Sequence, residues 1–173
     1  AGQRAAQNSA GAAPGARRRT QAVTLWLLRH GEAEARARSD AERPLTERGR
    51  KEVRRSAERL RGRPLQYILA SPYLRAQQTA EIVREVLGLA LPLTTVDWAT
   101  PDDSPREAAN RLDSYPGHCL LVSHNPLLGQ LAGFLQHGHL QEPLLLRTAS
   151  LVELDGAAAI PGLMQLAGLY HPE

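Results

Sequence analysis

Four side chains of this chain have the types and the placement to grip and attack an oxyanion: Arg29, His30, Arg75 and His124. Each follows closely on a short apolar run. Leu25-Trp26-Leu27-Leu28 leads into Arg29-His30-Gly31-Glu32, Tyr67-Ile68-Leu69-Ala70 into Ser71-Pro72-Tyr73-Leu74-Arg75, and Cys119-Leu120-Leu121-Val122 into Ser123-His124-Asn125-Pro126. A guanidinium is a planar, permanently charged fork, so two of them converging suit a tetrahedral group such as a phosphoryl. A neutral imidazole among them can attack phosphorus and hold the group as phosphohistidine, while a second, protonated or donating, steadies the equatorial oxygens. Spacing alone leaves the order of these roles open. His30 is favoured as the nucleophile because its neighbour is an arginine and Gly31 permits a tight turn close to the ligand.

The elements that must position these residues follow from the same runs. Short continuous apolar stretches bounded by Gly, Pro and Ser read as strands buried on both faces, which belong to parallel sheets whose ligands sit outside the carboxyl ends. From Val23 the order is strand, helix, strand, helix, strand, helix, strand, helix, then two final strands. The first helix is predicted over about residues 46–60, with Val53, Ala57 and Leu60 on its buried face. The second starts at Pro72, carries Ala76, Ala80, Val83 and Leu87 on one stripe and closes at Gly88, which puts Arg75 in its first turn. A short strand over 94–96 precedes a loop over 97–103. Ser104-Pro105-Arg106-Glu107 has the form of a capping box for a third helix reaching about Asp113. The fourth takes Asn125 as its cap and Pro126 at its first position, and stops at Gly138. Residues 150–154 and 164–170 close the pattern as strands around a turn near Gly156. The fold class is α/β: a three-layer α/β/α sandwich on a mainly parallel sheet.

Composition narrows the functions. The chain has 173 residues, enough for one domain with a full core, assigned to residues 22–173. The formal charge of +3 is misleading, because Arg4, Arg17, Arg18 and Arg19 lie in a stretch without acids and the remainder has 17 basic and 18 acidic side chains. With so few aromatics, no basic stacking face is available for nucleic acid. No stretch has the length of a membrane span. The single cysteine, Cys119, sits inside an apolar run and reads as a core residue in a reducing, cytoplasmic setting. Residues 1–21 have no apolar periodicity and read as a flexible tail, disordered or of artificial origin. Their Arg-rich, acid-free make-up also resembles an organellar import segment, and Arg17-Arg18-Arg19 a twin-arginine signal.

Taken together, Arg29-His30-Gly31-Glu32, Ser71 through Ala80 (SPYLRAQQTA) and Val122-Ser123-His124-Asn125-Pro126 resemble the signature blocks of the histidine phosphatase superfamily, with its phosphoglycerate-mutase-like fold. The likeness runs from Val23 to about His171. Arg43-Pro44-Leu45-Thr46 with Gly49, and the short loops, are similar in particular to the SixA-type phosphohistidine phosphatases. The resemblance implies that His30 is the nucleophile, that Arg29, Arg75 and His124 complete the phosphate pocket, that Arg43 faces it, and that neither metal nor cofactor is needed. Two departures bear on activity. Arg36 stands where mutase members carry an asparagine, and the long insertion bearing their acidic glutamate is absent, so mutase activity is disfavoured. The group that protonates the leaving atom is then to be found elsewhere: Asp40, three residues before Arg43, is the leading candidate, with Asp97, Asp102 and Asp103 behind it. A phosphoramidate nitrogen depends less on such an acid than an alkoxide does, which points to phosphohistidine as substrate.

Three functions follow, in order: a phosphatase for phosphohistidine on a protein, a phosphatase for small phosphomonoesters such as sugar or nucleotide phosphates, and a phosphate- or phosphoprotein-binding module without turnover. Partners are thus a phosphorylated protein or small molecule, without nucleic acid or membrane; the oligomeric state has no signal in the sequence. His137-Gly138-His139 lacks an acidic or thiol companion in sequence and reads as a helix terminus rather than a metal pair. His118 and His171 have no assigned role. Glu32, Glu34, Arg36 and Arg38 form a charged loop beside His30, the natural rim for substrate selection.

Overall fold

A computed structural model describes residues 22–172. The tail expected over residues 1–21 lies outside them. One six-stranded sheet is built from β1 (Val23–Arg29), β2 (Tyr67–Ala70), β3 (Leu93–Thr95), β4 (Cys119–Ser123), β5 (Leu151–Gly156) and β6 (Gln165–Tyr170), in the order β3-β2-β4-β1-β5-β6. The first four in that order run parallel, while β5 is antiparallel to β1 and β6 to β5. The helices are α1 (Glu47–Glu58), α2 (Leu74–Leu87), α3 (Pro105–Leu112) and α4 (Leu127–His137), and a single 3₁₀ turn spans Asp40–Glu42.

Alternation along the strands divides the core into two layers. Leu25, Leu27, Leu69 and Leu121 pack with α3 and α4, whereas Trp26, Leu28, Ile68, Leu120 and Val122 pack with α1 and α2. Because β1, β2 and β4 are covered on both faces, they show continuous apolar runs rather than alternation. Truncating a fully buried leucine such as Leu121 to alanine costs about 2–5 kcal/mol.

Register brings the strand ends level. Leu28 and Ala70 both pair with Val122, and Arg29 pairs with Ser123. The ladder continues one step further through His30 N–H to Ser123 O (3.0 Å) and Ser71 N–H to Val122 O (3.0 Å). The residues that leave β1, β2 and β4 therefore emerge side by side on one edge.

Helix ends explain the remaining placement. The α1 cap is Thr46, whose hydroxyl accepts from Gly49 N–H, and Gly88 and Gly138 close α2 and α4 in the left-handed region at φ 61° and 78°. Two expected caps differ from the sequence reading. Ser104 accepts from Glu107 N–H, but the Glu107 carboxylate turns to Arg111 one turn on, so only half of the box forms. Asn125 does not cap α4: Pro126 occupies the cap position with αR backbone after a cis peptide bond, and the Asn125 amide donates to Leu146 O (2.9 Å).

Candidate active site

Arg29 ends β1 and His30 follows it; Arg75 lies in the first turn of α2, and His124 stands between β4 and α4. These four line one open pocket of about 390 Å³ together with Glu32, Asp40, Arg43, Asn125 and Thr148.

His30 is held in one tautomer by its neighbours. Arg75 Nε–H donates to His30 Nε2 (3.3 Å), so the ring proton sits on Nδ1, which donates to Gly31 O (2.7 Å). Burial lowers its pKa from the ordinary 6.5 to about 4; the Gly31 carbonyl opposes this, and the charges of Arg75, Arg29 and Arg43 add to it. At neutral pH the ring is uncharged, with the Nε2 lone pair directed to the guanidinium of the pocket.

His124 is almost fully buried, its ring 5.0 Å from that of His30 and 5.0 Å from that of Tyr73. Its Nε2 lies 2.7 Å from Ser71 Oγ, and its Nδ1 is buried without a partner among the described residues. Burial, followed by His30 and Arg75, drives its pKa down to about 2, against the opposing pull of Asp40. Arg29 anchors through Nη1 on Leu146 O (3.0 Å), leaving Nε buried and without a partner among the described residues. Its own pKa is lowered by burial and then by Arg75, yet a guanidinium keeps its charge at any working pH.

Arg75 spends its other donors on the loop after β1: Nη1 on Asp40 O (2.7 Å) and Nη2 on Asp40 Oδ2 (3.2 Å). Arg43 Nε donates to Asp40 Oδ1 (2.9 Å) and Nη1 to Glu34 O (2.9 Å). Arg43, then Arg75, hold the Asp40 carboxyl below the usual carboxylate range, so the free protein presents a carboxylate there. Asp97, Asp102 and Asp103 do not line the pocket; Asp103 accepts instead from the amide and hydroxyl of Thr100. Arg36 and Asp40 border a shallower depression beside Arg43.

The turn after His30 is tight for a reason other than the expected one. Gly31 is not among the glycines of positive φ; a Cβ on it would lie 2.7 Å from both Gly49 O and a Val53 methyl, and one on Gly49 only 2.1 Å from Glu32 O. The glycines allow the backbones of the turn after His30 and of α1 to touch. Thr79 completes the brace, its hydroxyl accepting from Gly31 N–H (3.2 Å) and donating to Arg75 O (2.7 Å), and Gln78 accepts from Leu45 N–H (2.8 Å).

Sequence reasoning left Asn125, Thr148 and the Leu146 carbonyl without a role at the site. Thr148 and Leu146 belong to a loop with no periodic signal, and a carbonyl acceptor is independent of residue type. Among the described residues no group of three or more His, Cys, Asp or Glu could hold a metal ion; His137 and His139 stack at 5.8 Å beside Glu142.

A tetrahedral anion placed here would meet two guanidiniums, a neutral imidazole whose Nε2 lone pair faces the Arg75 guanidinium, and a second imidazole. The histidine phosphatase superfamily (branch 1) profile matches residues 25–97. The phosphohistidine phosphatase SixA of Escherichia coli (strain K12) is 32% identical over 138 residues, spanning 76% of this chain and 84% of that protein. The chain belongs to the histidine phosphatase superfamily. The SixA homolog of Haemophilus influenzae is also 32% identical, over 126 residues, 65% of this chain and 77% of the homolog. Among solved structures, the protein histidine phosphatase SixA complexed with tungstate superposes at a TM-score of 0.78 with 29% identity, over 87% of this chain and 97% of that one. The α-ribazole phosphatase of Shigella flexneri shares the fold at a TM-score of 0.67 and 20% identity, over 85% and 96%.

Proposed function

We propose that this protein removes phosphate from phosphohistidine on another protein, through a phosphohistidine intermediate on His30. The observation that carries the reading is the ring of His30, fixed by Gly31 O and Arg75 with its Nε2 lone pair held in the pocket. In the first half, Nε2 attacks phosphorus, the P–N bond to the substrate imidazole breaks, and the departing nitrogen takes a proton. Arg29 and Arg75 carry the charge of the equatorial oxygens, joined by His124. In the second half, water attacks the phosphorylated His30, phosphate leaves, and the proton given up by water balances the one consumed. Asp40 is the proposed carrier of that proton. Because it rests as a carboxylate, it must be loosened from Arg43 and Arg75 by the incoming group before it can hold one.

The open rim supports a macromolecular substrate, since a histidine projecting from another protein can reach Nε2 without displacing a lid. The buried single cysteine, its thiol pushed up to about 12 by burial, is in keeping with the cytoplasmic setting of this reading. Among the described residues no helix is long and apolar enough to cross a membrane.

The test is a comparison of kcat/KM for a phosphohistidine-bearing protein, a small phosphoramidate and a panel of sugar and nucleotide phosphates. The reading requires the phosphohistidine protein to rank first. A phosphomonoester ranking first would replace it with the small-molecule phosphatase, and tight binding without release of phosphate would make the chain a binding module.

A further inference from the structure

The hydrogen bonding of His124 is complete on one ring nitrogen and empty on the other. Nε2 lies 2.7 Å from Ser71 Oγ, whereas Nδ1 has no partner among the described residues. His124 is 1% exposed and Ser71 0%, so bulk water satisfies neither. Ser71 Oγ has one further neighbour, the Tyr73 amide at 3.3 Å, which can only donate. The hydroxyl proton therefore has a single acceptor within reach, His124 Nε2. The opposite arrangement, with Nε2–H donating to Oγ, would leave a buried hydroxyl proton unpaired and present a lone pair at Nδ1. Phosphoryl oxygens are acceptors, and a lone pair facing them repels.

We propose that Ser71 is the positioning residue that selects the Nδ1–H tautomer of His124 and so supplies an N–H, rather than a lone pair, to the bound phosphoryl group. His124 lines the pocket, and Nδ1 is the ring nitrogen that Ser71 leaves without a partner among the described residues. Ser71 is well suited to the task because its own position is overdetermined. Its amide donates to Val122 O (3.0 Å), and its carbonyl accepts from Gln77 Nε2 (2.8 Å) at the start of α2. The second imidazole is thus set from the turn between β2 and α2, four residues before Arg75, and both pocket histidines bear their proton on Nδ1, the less common tautomer of a free histidine. The proposal rests on the reading of His124 as a donor to phosphoryl oxygens, but the tautomer is a property of the resting protein.

The experiment is a long-range ¹H–¹⁵N correlation spectrum of the full chain labelled at histidine nitrogens, near neutral pH, with the His124 signals identified by their loss in His124→Gln. The wild type is expected to show a protonated Nδ1 and a pyridine-type Nε2 at His124. In Ser71→Ala the proton moves to Nε2 in most molecules, and kcat on a phosphoramidate falls by on the order of 10-fold to 10²-fold with a much smaller change in KM. Ser71→Thr, which keeps the hydroxyl, retains the wild-type tautomer and recovers most of the rate. A protonated Nε2 in the wild type, or an unmoved proton in Ser71→Ala, overturns the proposal, and the wild-type spectrum decides even if the alanine variant fails to fold. Absence of a phosphoenzyme in the wild type would sink the phosphatase reading and leave the tautomer result standing.

Discussion

A protonated imidazole has no lone pair to give, and His30 escapes that state because burial and the nearby guanidiniums of Arg75, Arg29 and Arg43 disfavour a further positive charge. In the proposed cycle only His30 carries the covalent bond, while His124 contributes through charge on the oxygens. His30→Ala is therefore expected to abolish both turnover and the acid-labile phosphoenzyme, and His124→Ala to retain phosphoenzyme with a rate reduced by on the order of 10² to 10³. Radiolabel trapping distinguishes the two, and intact phosphoenzyme in His30→Ala would refute the assignment. As the proposed proton carrier, Asp40 would separate substrate classes. An alkoxide needs a proton in the transition state, worth roughly 10² to 10⁴, whereas a phosphoramidate nitrogen arrives protonated from solvent. Asp40→Asn should slow phosphomonoesters far more than phosphoramidates; equal losses in kcat would assign Asp40 to holding Arg43 and Arg75 in place. These residues were legible because each follows an apolar run and carries a charge or an imidazole that such a run does not otherwise need. The acceptors that aim them, Gly31 O, Leu146 O and Asp40 O, are main-chain atoms and leave no mark on the sequence.

At the scale of elements, the strands were readable because burial on both faces makes them uniformly apolar, and the glycines after α2 and α4 because only a left-handed residue closes those helices cheaply. What went unread was competition between partners. The Asn125 amide and Arg29 Nη1 both donate to the one Leu146 carbonyl, and the Asn125 Oδ1 that would have capped α4 has no partner among the described residues. Gly31 was read as a turn residue, yet its role is to let β1's exit lie against α1. That junction predicts a severe effect from a small change. In Gly49→Ala the new methyl would meet the Glu32 carbonyl, which is backbone and cannot swing aside, so the turn after His30 must move. Overpacking of this kind costs about 1–3 kcal/mol, and urea unfolding should show it together with a fall in kcat. A variant with wild-type stability and rate would show that the turn and the helix are not coupled.

For the molecule as a whole, the pocket lined by His30 and His124 is a store of neutral histidines and hence a source of acid sensitivity. Both His30 and His124 have folded-state pKa values below the ordinary 6.5, at about 4 and about 2, so the unfolded chain binds protons that the folded chain refuses. Their contribution to stability is full above about pH 6.5 and is lost progressively as the pH falls toward those folded-state values. Each such histidine adds a slope of about 1.4 kcal/mol per pH unit once the unfolded ring is protonated. Between about pH 6 and pH 5 most carboxylates remain ionised, so the slope in that window belongs mainly to the histidines. Asp40, whose pKa is lowered by Arg43, reinforces the trend only at lower pH. Urea unfolding across the window is expected to show stability declining with acid in the wild type, and a slope smaller by about one histidine's share in His124→Gln. An unchanged slope in that variant would mean that His124 titrates alike in the folded and unfolded chains, and its ring would then be no buried neutral donor for the phosphoryl group.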